Sequence, residues 1–151
     1  MIGGDLDDAP LPPEVFVVWE NLIGIPGPRF TEKRFRRRVR WNRASRSALD
    51  LFEDTNGLVV AELWRLWQRD VPVALVTFLP EELAGDLAVR VDAESIPHSR
   101  LVVSTPNDMA RQIGLLGAAY IFHALPDHVL RYGPRGIYVR PDSPEIMREV
   151  A

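Results

Sequence analysis

Gly57-Leu-Val-Val-Ala-Glu-Leu-Trp-Arg-Leu-Trp-Gln-Arg-Asp70, followed after Val71 and Pro72 by Val73-Ala-Leu-Val-Thr-Phe78, decides how the rest of the chain is read. The first piece sets Val59, Val60, Leu63, Leu66 and Trp67 on one face at the period of an amphipathic helix. The second is an apolar, largely β-branched run without alternation, the pattern of a strand covered on both faces in a parallel sheet. A helix feeding such a strand is the second half of a β-α-β unit. Upstream, Glu14-Val-Phe-Val-Val-Trp19 has the same character and supplies the first strand. Downstream, Pro80 opens a helix running to about Val91, with Glu81 and Glu82 in the first turn, where the helix dipole favours acids. Arg100–Ser104 reads as a third strand. Thr105 or Asn107 can cap a helix over Asp108–Leu116, closed by Gly117. Ala119–His123 and Gly136–Arg140 are the fourth and fifth strands, joined by a short helix. This order predicts an α/β fold, a three-layer Rossmannoid sandwich with a mainly parallel five-stranded sheet and right-handed crossovers.

The length of 151 residues suits one domain, read as 14–141 between an acidic, proline-rich leader (1–13) and a C-terminal tail (142–151). A hydrophobic fraction of 46% with 26% charged residues excludes disorder as the main state. The chain has no cysteine, which excludes disulfides, zinc–thiolate sites and a thiol nucleophile. No apolar run is long enough to span a bilayer, and the acidic start is unlike a signal peptide. A cytoplasmic protein without a membrane partner is expected.

The net charge of −3 is unevenly spread. Between Arg29 and Arg46 lie nine basic residues against Glu32 alone, a net +8; the rest carries nine against 20 acids, a net −11. This basic insertion, at about residues 26–48, is ambiguous in period. As a strand it sets Arg34, Arg36, Arg38 and Arg40 on one face and Phe35, Arg37, Val39 and Trp41 on the other. As a helix it would start at Thr31 with Phe30 and Phe35 as a hydrophobic staple, but its apolar stripe stops at Asn42. The strand fits slightly better, with a helix expected over Ser45–Phe52.

In open parallel sheets, sites collect at the carboxyl ends of the strands. Those ends here offer Trp19, Glu20 and Asn21; Thr77 and Phe78; Ser104 and Thr105; and His123, Ala124 and Asp127. No glycine-rich phosphate loop is among them, because Asn21-Leu-Ile-Gly-Ile-Pro-Gly-Pro28 fits neither the Walker nor the dinucleotide pattern.

The layout of these elements resembles the haloacid dehalogenase (HAD) superfamily over roughly residues 14–141. The resemblance lies in the first strand followed by an insertion, the strand Val73–Thr77 ending in a hydroxyl residue, and the stretch Ala119-Tyr-Ile-Phe-His-Ala-Leu-Pro-Asp-His-Val-Leu-Arg-Tyr-Gly-Pro-Arg-Gly-Ile-Tyr-Val139. Similarly reduced forms occur among actinobacterial and phage proteins of the superfamily, and the resemblance implies such an origin. It also implies a phosphoryl-transfer site built from an aspartate nucleophile, a second aspartate two residues on, a Ser/Thr, a Lys/Arg and an acidic pair holding Mg²⁺. A carboxylate attacks phosphorus only when metal and cation neutralise the phosphoryl oxygens. On this chain the nucleophile position falls on Trp19 and the acid/base position on Asn21; shifting by one residue gives Glu20 and Leu22. The hydroxyl is Thr77, the cation Arg111, and the acidic pair falls on His123 and Ala124, with Asp127 three residues beyond. The nucleophile and the metal pair are missing, so a degenerate member is expected, with no cofactor unless the family reaction and its Mg²⁺ survive.

Each residue also has a plainer reading. Thr77 is a common strand residue, His98, His123 and His128 are ordinary loop histidines, Glu20 is a cap or an exposed acid where the functional reading makes it a buried general base with a raised pKa, and Trp64 and Trp67 belong to the core or to a covered helix face. Three functions follow. The first is a non-catalytic binding module whose Arg34, Arg36, Arg37, Arg38, Arg40 and Arg43, with Trp41 to stack on bases, contact nucleic acid or an acidic partner. The second is a divergent Mg²⁺-dependent phosphohydrolase using Glu20 or Asp127 with Thr77 and Arg111. The third is an assembly or host-interaction protein, a homo-oligomer among the options, with Trp41, Trp64 or Trp67 on an exposed apolar patch.

Overall fold

A computed structural model describes residues 13–26 and 52–151. In chain order its elements are β1 (Val15–Val18), β2 (Gly24–Pro26), β3 (Phe52–Thr55), α1 (Gly57–Gln68), β4 (Val73–Thr77), α2 (Glu81–Ala93), β5 (Arg100–Val103), α3 (Pro106–Gln112), β6 (Ile121–His123), α4 (Pro126–Arg131), a 3₁₀ turn (Gly133–Arg135), β7 (Gly136–Tyr138) and α5 (Ile146–Val150).

Five strands form one sheet in the order β5-β4-β1-β6-β7, and every neighbouring pair is parallel. The chain builds outward from β1 through β4 to β5, then returns to the other side of β1 for β6 and β7. Crossovers of this kind are right-handed, so reversing the direction of travel moves the helices to the opposite face. Side-chain alternation shows the result. Val15, Val17, Val73 and Leu75 pack with Val59, Leu63 and Leu66 of α1, Leu83, Leu87 and Val91 of α2, and Met147 of α5. Phe16, Val18, Ala74 and Val76 pack on the other face with Met109 and Ile113 at α3 and Tyr132 beyond α4. β1 and β4 are buried along their whole length, which is why neither shows polar alternation. Each buried valine, leucine or phenylalanine among them contributes about 1.5–3 kcal/mol by leaving water. The expected sandwich is therefore present, with small shifts at element ends.

Several expectations need correction. Phe52 does not end a helix; it opens β3, which pairs antiparallel with β2 in a separate two-stranded ribbon. The alternatives for the arginine-rich segment, and the placement of Arg34, Arg36, Arg37, Arg38, Arg40, Trp41 and Arg43, lie outside the described residues. Trp64 and Trp67 are not core: they are 42% and 40% exposed, on the flank of α1 beside its buried stripe. Thr105 is the cap of α3, its hydroxyl accepting from the Asp108 amide at 3.2 Å. The segment read as a tail carries α5, whose Met147 joins the core.

Asn56 joins ribbon, helix and C-terminal region. Its side-chain oxygen accepts from the amides of Leu58 and Val59 at 3.1 and 3.4 Å, capping α1. Its amide group donates to the Pro141 carbonyl at 2.8 Å. Asn56→Ala removes the cap and leaves that carbonyl without its donor. It is expected to destabilise the protein by about 2 kcal/mol, measured by urea unfolding at constant m-value.

Candidate functional site at the carboxyl ends of the strands

β1 and β6 are neighbours built in opposite directions of travel, so the sheet's switch point lies between them. Glu20 lies two residues beyond β1 on the same rim of the sheet, with its carboxyl against the end of β4. The chain turns immediately afterwards: Asn21 takes φ 68°, a left-handed conformation that asparagine tolerates, and its amide donates to the Gly24 carbonyl at 3.0 Å.

Glu20 is buried, which matches the buried-acid alternative and not the plainer reading of a cap or an exposed acid. The Thr77 hydroxyl donates to its Oε2 at 2.9 Å. The Phe78 amide donates to its Oε1 and Oε2 at 2.9 and 3.1 Å. Thr77 is itself fixed, because its hydroxyl oxygen accepts from the Leu79 amide at 3.2 Å. Burial pushes the Glu20 carboxyl up to about 7, although the donors from Phe78 and Thr77 pull it down. A carboxyl in this state changes charge near neutral pH.

The histidines are also misread as loop residues. His123 ends β6 and His128 lies in α4, and both are buried. Their rings meet edge to face with centroids 5.1 Å apart. Phe78 lies 5.8 Å from His123 and 6.4 Å from His128 between ring centres, and Tyr132 lies 6.1 Å from His123. Burial, with a smaller contribution from the charge of His128, pushes His123 down to about 3. It is therefore a neutral imidazole in the folded protein at ordinary pH. Its Nε2 is buried without a hydrogen-bond partner among the described residues.

The other candidates do not join this group. Trp19 points into the opposite core, edge-on to Phe52 at 5.6 Å between ring centres. Asp127 is exposed in the first turn of α4. Arg111 is exposed and paired with Asp108 on its own helix. The structure thus brings Glu20 to Thr77 and His123 to His128, and leaves Trp19, Asp127 and Arg111 elsewhere. These residues do not fit Mg²⁺: the acidic-pair positions carry an imidazole and a methyl group, and the nearest acid is on the surface. Among the described residues no three His, Asp or Glu side chains are grouped to hold a metal ion.

Arg90 was not singled out from the sequence, where it is one arginine within a helix. It is buried, and it ties α2 to the ribbon. Its Nη1 donates to the Phe52 carbonyl at 2.9 Å, its Nη2 to the Thr55 hydroxyl at 3.0 Å, and its Nε to Glu94 at 3.0 Å. The guanidinium lies 5.6 Å from the Trp19 ring centre.

No family model, curated protein or solved structure matches the chain. Among the described residues no helix is long and apolar enough to cross a membrane.

Proposed function

We propose that the chain is a binding module of HAD-like descent that has lost phosphoryl transfer, and that its arginine-rich segment contacts nucleic-acid phosphates. The observation that carries this reading is what occupies the donors at the end of β4. Thr77 is the hydroxyl that the resemblance assigns to a phosphoryl oxygen. Here that hydroxyl and the neighbouring Phe78 amide both donate to the chain's own Glu20 carboxyl. A phosphate approaching these donors meets a buried carboxyl already in place, and repulsion once that carboxyl is ionised. The surface positions of Asp127 and Arg111 weigh against a divergent hydrolase in the same way.

The charge pattern supports the binding half. Residues 27–51 join the two strands of the ribbon, whose pairing sets Pro26 opposite Phe52. Pro26 and Phe52, which flank the stretch containing the +8 segment, are therefore paired just beyond the carboxyl end of β1, the place where insertions of the superfamily screen the site. A polycation tethered at two adjacent points, on a body of net −11, gains by releasing counterions from nucleic acid.

The test is binding of generic single- and double-stranded DNA and RNA at low and moderate salt. Salt-sensitive binding is expected. Its absence overturns the nucleic-acid reading and leaves the acidic partner. Generic phosphoesters with Mg²⁺ are expected to give no turnover; activity that disappears in Glu20→Gln would restore the enzyme reading.

A further inference from the structure

We propose that Thr77 and Phe78 form a binding site for a small monocarboxylate, which the chain keeps filled with its own Glu20 side chain. The inference goes beyond the nucleic-acid reading and stands without it.

The cradle is built by three consecutive residues where the chain leaves β4. The Leu79 amide donates to the Thr77 hydroxyl oxygen at 3.2 Å, which leaves the hydroxyl proton for Glu20. That hydroxyl reaches Oε2 at 2.9 Å, and the Phe78 amide reaches Oε1 at 2.9 Å and Oε2 at 3.1 Å. Both oxygens of one planar carboxyl are thus met by donors that the strand end holds in place. Thr77 is fully buried and Leu79 and Glu20 nearly so, so the donors depend on that carboxyl and not on water. A cradle already formed in this way costs little to order around a ligand.

The charge balance sets the ligand class. Among the described residues no lysine or arginine pairs with Glu20. Arg90 is committed to the ribbon and Glu94, and Arg111 to Asp108. His123, beyond the Phe78 ring, is held neutral by burial. Without a cation nothing offsets the desolvation of a dianion, which disfavours phosphate. A monocarboxylate carries one charge and can enter as the neutral acid, the form that burial favours.

Glu20 is a ligand of this class on a short tether. It immediately precedes Asn21, where the chain turns at φ 68°. Tethering gives its carboxyl a high effective concentration, so a free acid does not displace it at ordinary levels. Cutting the side chain back to alanine removes one methylene and the carboxylate, the size of an acetate ion. The Thr77 hydroxyl and Phe78 amide are then left buried without their acceptor, a cost that acetate would relieve.

The experiment is thermal melting of the whole chain in sodium acetate, sodium chloride and sodium phosphate, each at about 0.2 M. The wild type is compared with Glu20→Ala, with Glu20→Gln, and with a double variant carrying Glu20→Ala and Thr77→Val. Glu20→Ala is expected to melt below the wild type in chloride and to gain about 3 °C or more in acetate, the shift from a ligand near tenfold its dissociation constant. The wild type and Glu20→Gln, whose cradles are filled, should gain nothing over chloride, and neither should the double variant, which lacks the hydroxyl. If Glu20→Ala does not fold in chloride, refolding yield is the readout, and acetate should recover folded protein. Equal melting or equal failure in acetate and chloride overturns the site, as does a gain retained without the Thr77 hydroxyl. Phosphate matching acetate overturns the ligand class. A wild type that gains as much as Glu20→Ala overturns its filling by Glu20. Binding of oligo(dT) is a separate readout, so the nucleic-acid reading can fail while this site stands.

Discussion

Glu20→Gln is expected to stabilise the protein at pH 8 by about 2 kcal/mol and to have almost no effect at pH 5. The folded carboxyl titrates at about 7 and the ordinary one at 4.5. The folded state therefore holds a proton that the unfolded state has released across this interval, and stability falls as pH rises through it. At roughly 1.4 kcal/mol per pH unit the cost of ionising the buried group reaches about 3 kcal/mol above pH 7. Glutamine avoids that cost, still accepts from Phe78 or Thr77, and loses part of the gain because its new N–H donors have no evident acceptor. His123 acts in the opposite direction. Its imidazole is held down at about 3, against an ordinary 6.5, so its contribution is complete above pH 6.5 and is lost as pH falls toward 3. Between pH 4.5 and 6.5 the two slopes oppose each other, and the wild type should be nearly insensitive to pH. In Glu20→Gln only the histidine slope remains, so stability should rise across the same interval. Urea unfolding at pH 5, 6, 7 and 8 measures both trends. A variant with the same stability difference at every pH would show that Glu20 is not a buried, titrating group.

Trp19→Ala is expected to cost about 3–5 kcal/mol, the range for emptying a fully buried aromatic site. The indole is fully buried, meets Phe52 edge-on, lies beneath Arg90 and packs against Gly24, where even a methyl group would collide with the ring. Losing it empties the core and also loosens the ribbon from the sheet. Trp19→Phe should cost less, because it keeps an aromatic ring and removes an Nε1 that has no partner among the described residues. Chemical denaturation distinguishes the two variants. If Trp19→Ala unfolds at the wild-type midpoint, the residue at the motif's nucleophile position is not the core anchor described above.

How much of this was legible in the sequence depended on how far apart the cooperating residues are. β1 and β4 were readable because both faces of each are covered, which removes the polar alternation of a half-exposed strand. α1 was readable from Val59, Leu63 and Leu66, but its period did not show where the apolar face ends, and Trp67 was placed one step too far inside. The ribbon was hidden because Gly24 and Pro26 read as breaks and Phe52-Glu-Asp-Thr55 is short and polar. Its strands are held by Arg90 and Trp19, contacts that no local pattern reveals. Glu20 looked like an exposed acid because its donor hydroxyl is 57 residues away. His123 and His128 looked like loop residues because their burial depends on β6 ending beneath α4. The pairing of Glu20 with Thr77 was legible only as two strand ends belonging to the same rim of the sheet.

The central claim is that the +8 segment binds nucleic-acid phosphates, and the salt dependence of binding tests it most directly. The measurement compares the affinity of oligo(dT) for the wild type and for a variant with Arg34, Arg36, Arg37, Arg38, Arg40 and Arg43 all changed to serine, from 50 to 200 mM salt. Each phosphate contact contributes about −0.7 to the slope of log K against log salt on a single strand. A steep negative slope that flattens toward zero in the variant, with the fold retained, is the predicted result. A wild type that does not bind, or a slope unchanged by removing the six arginines, would contradict it.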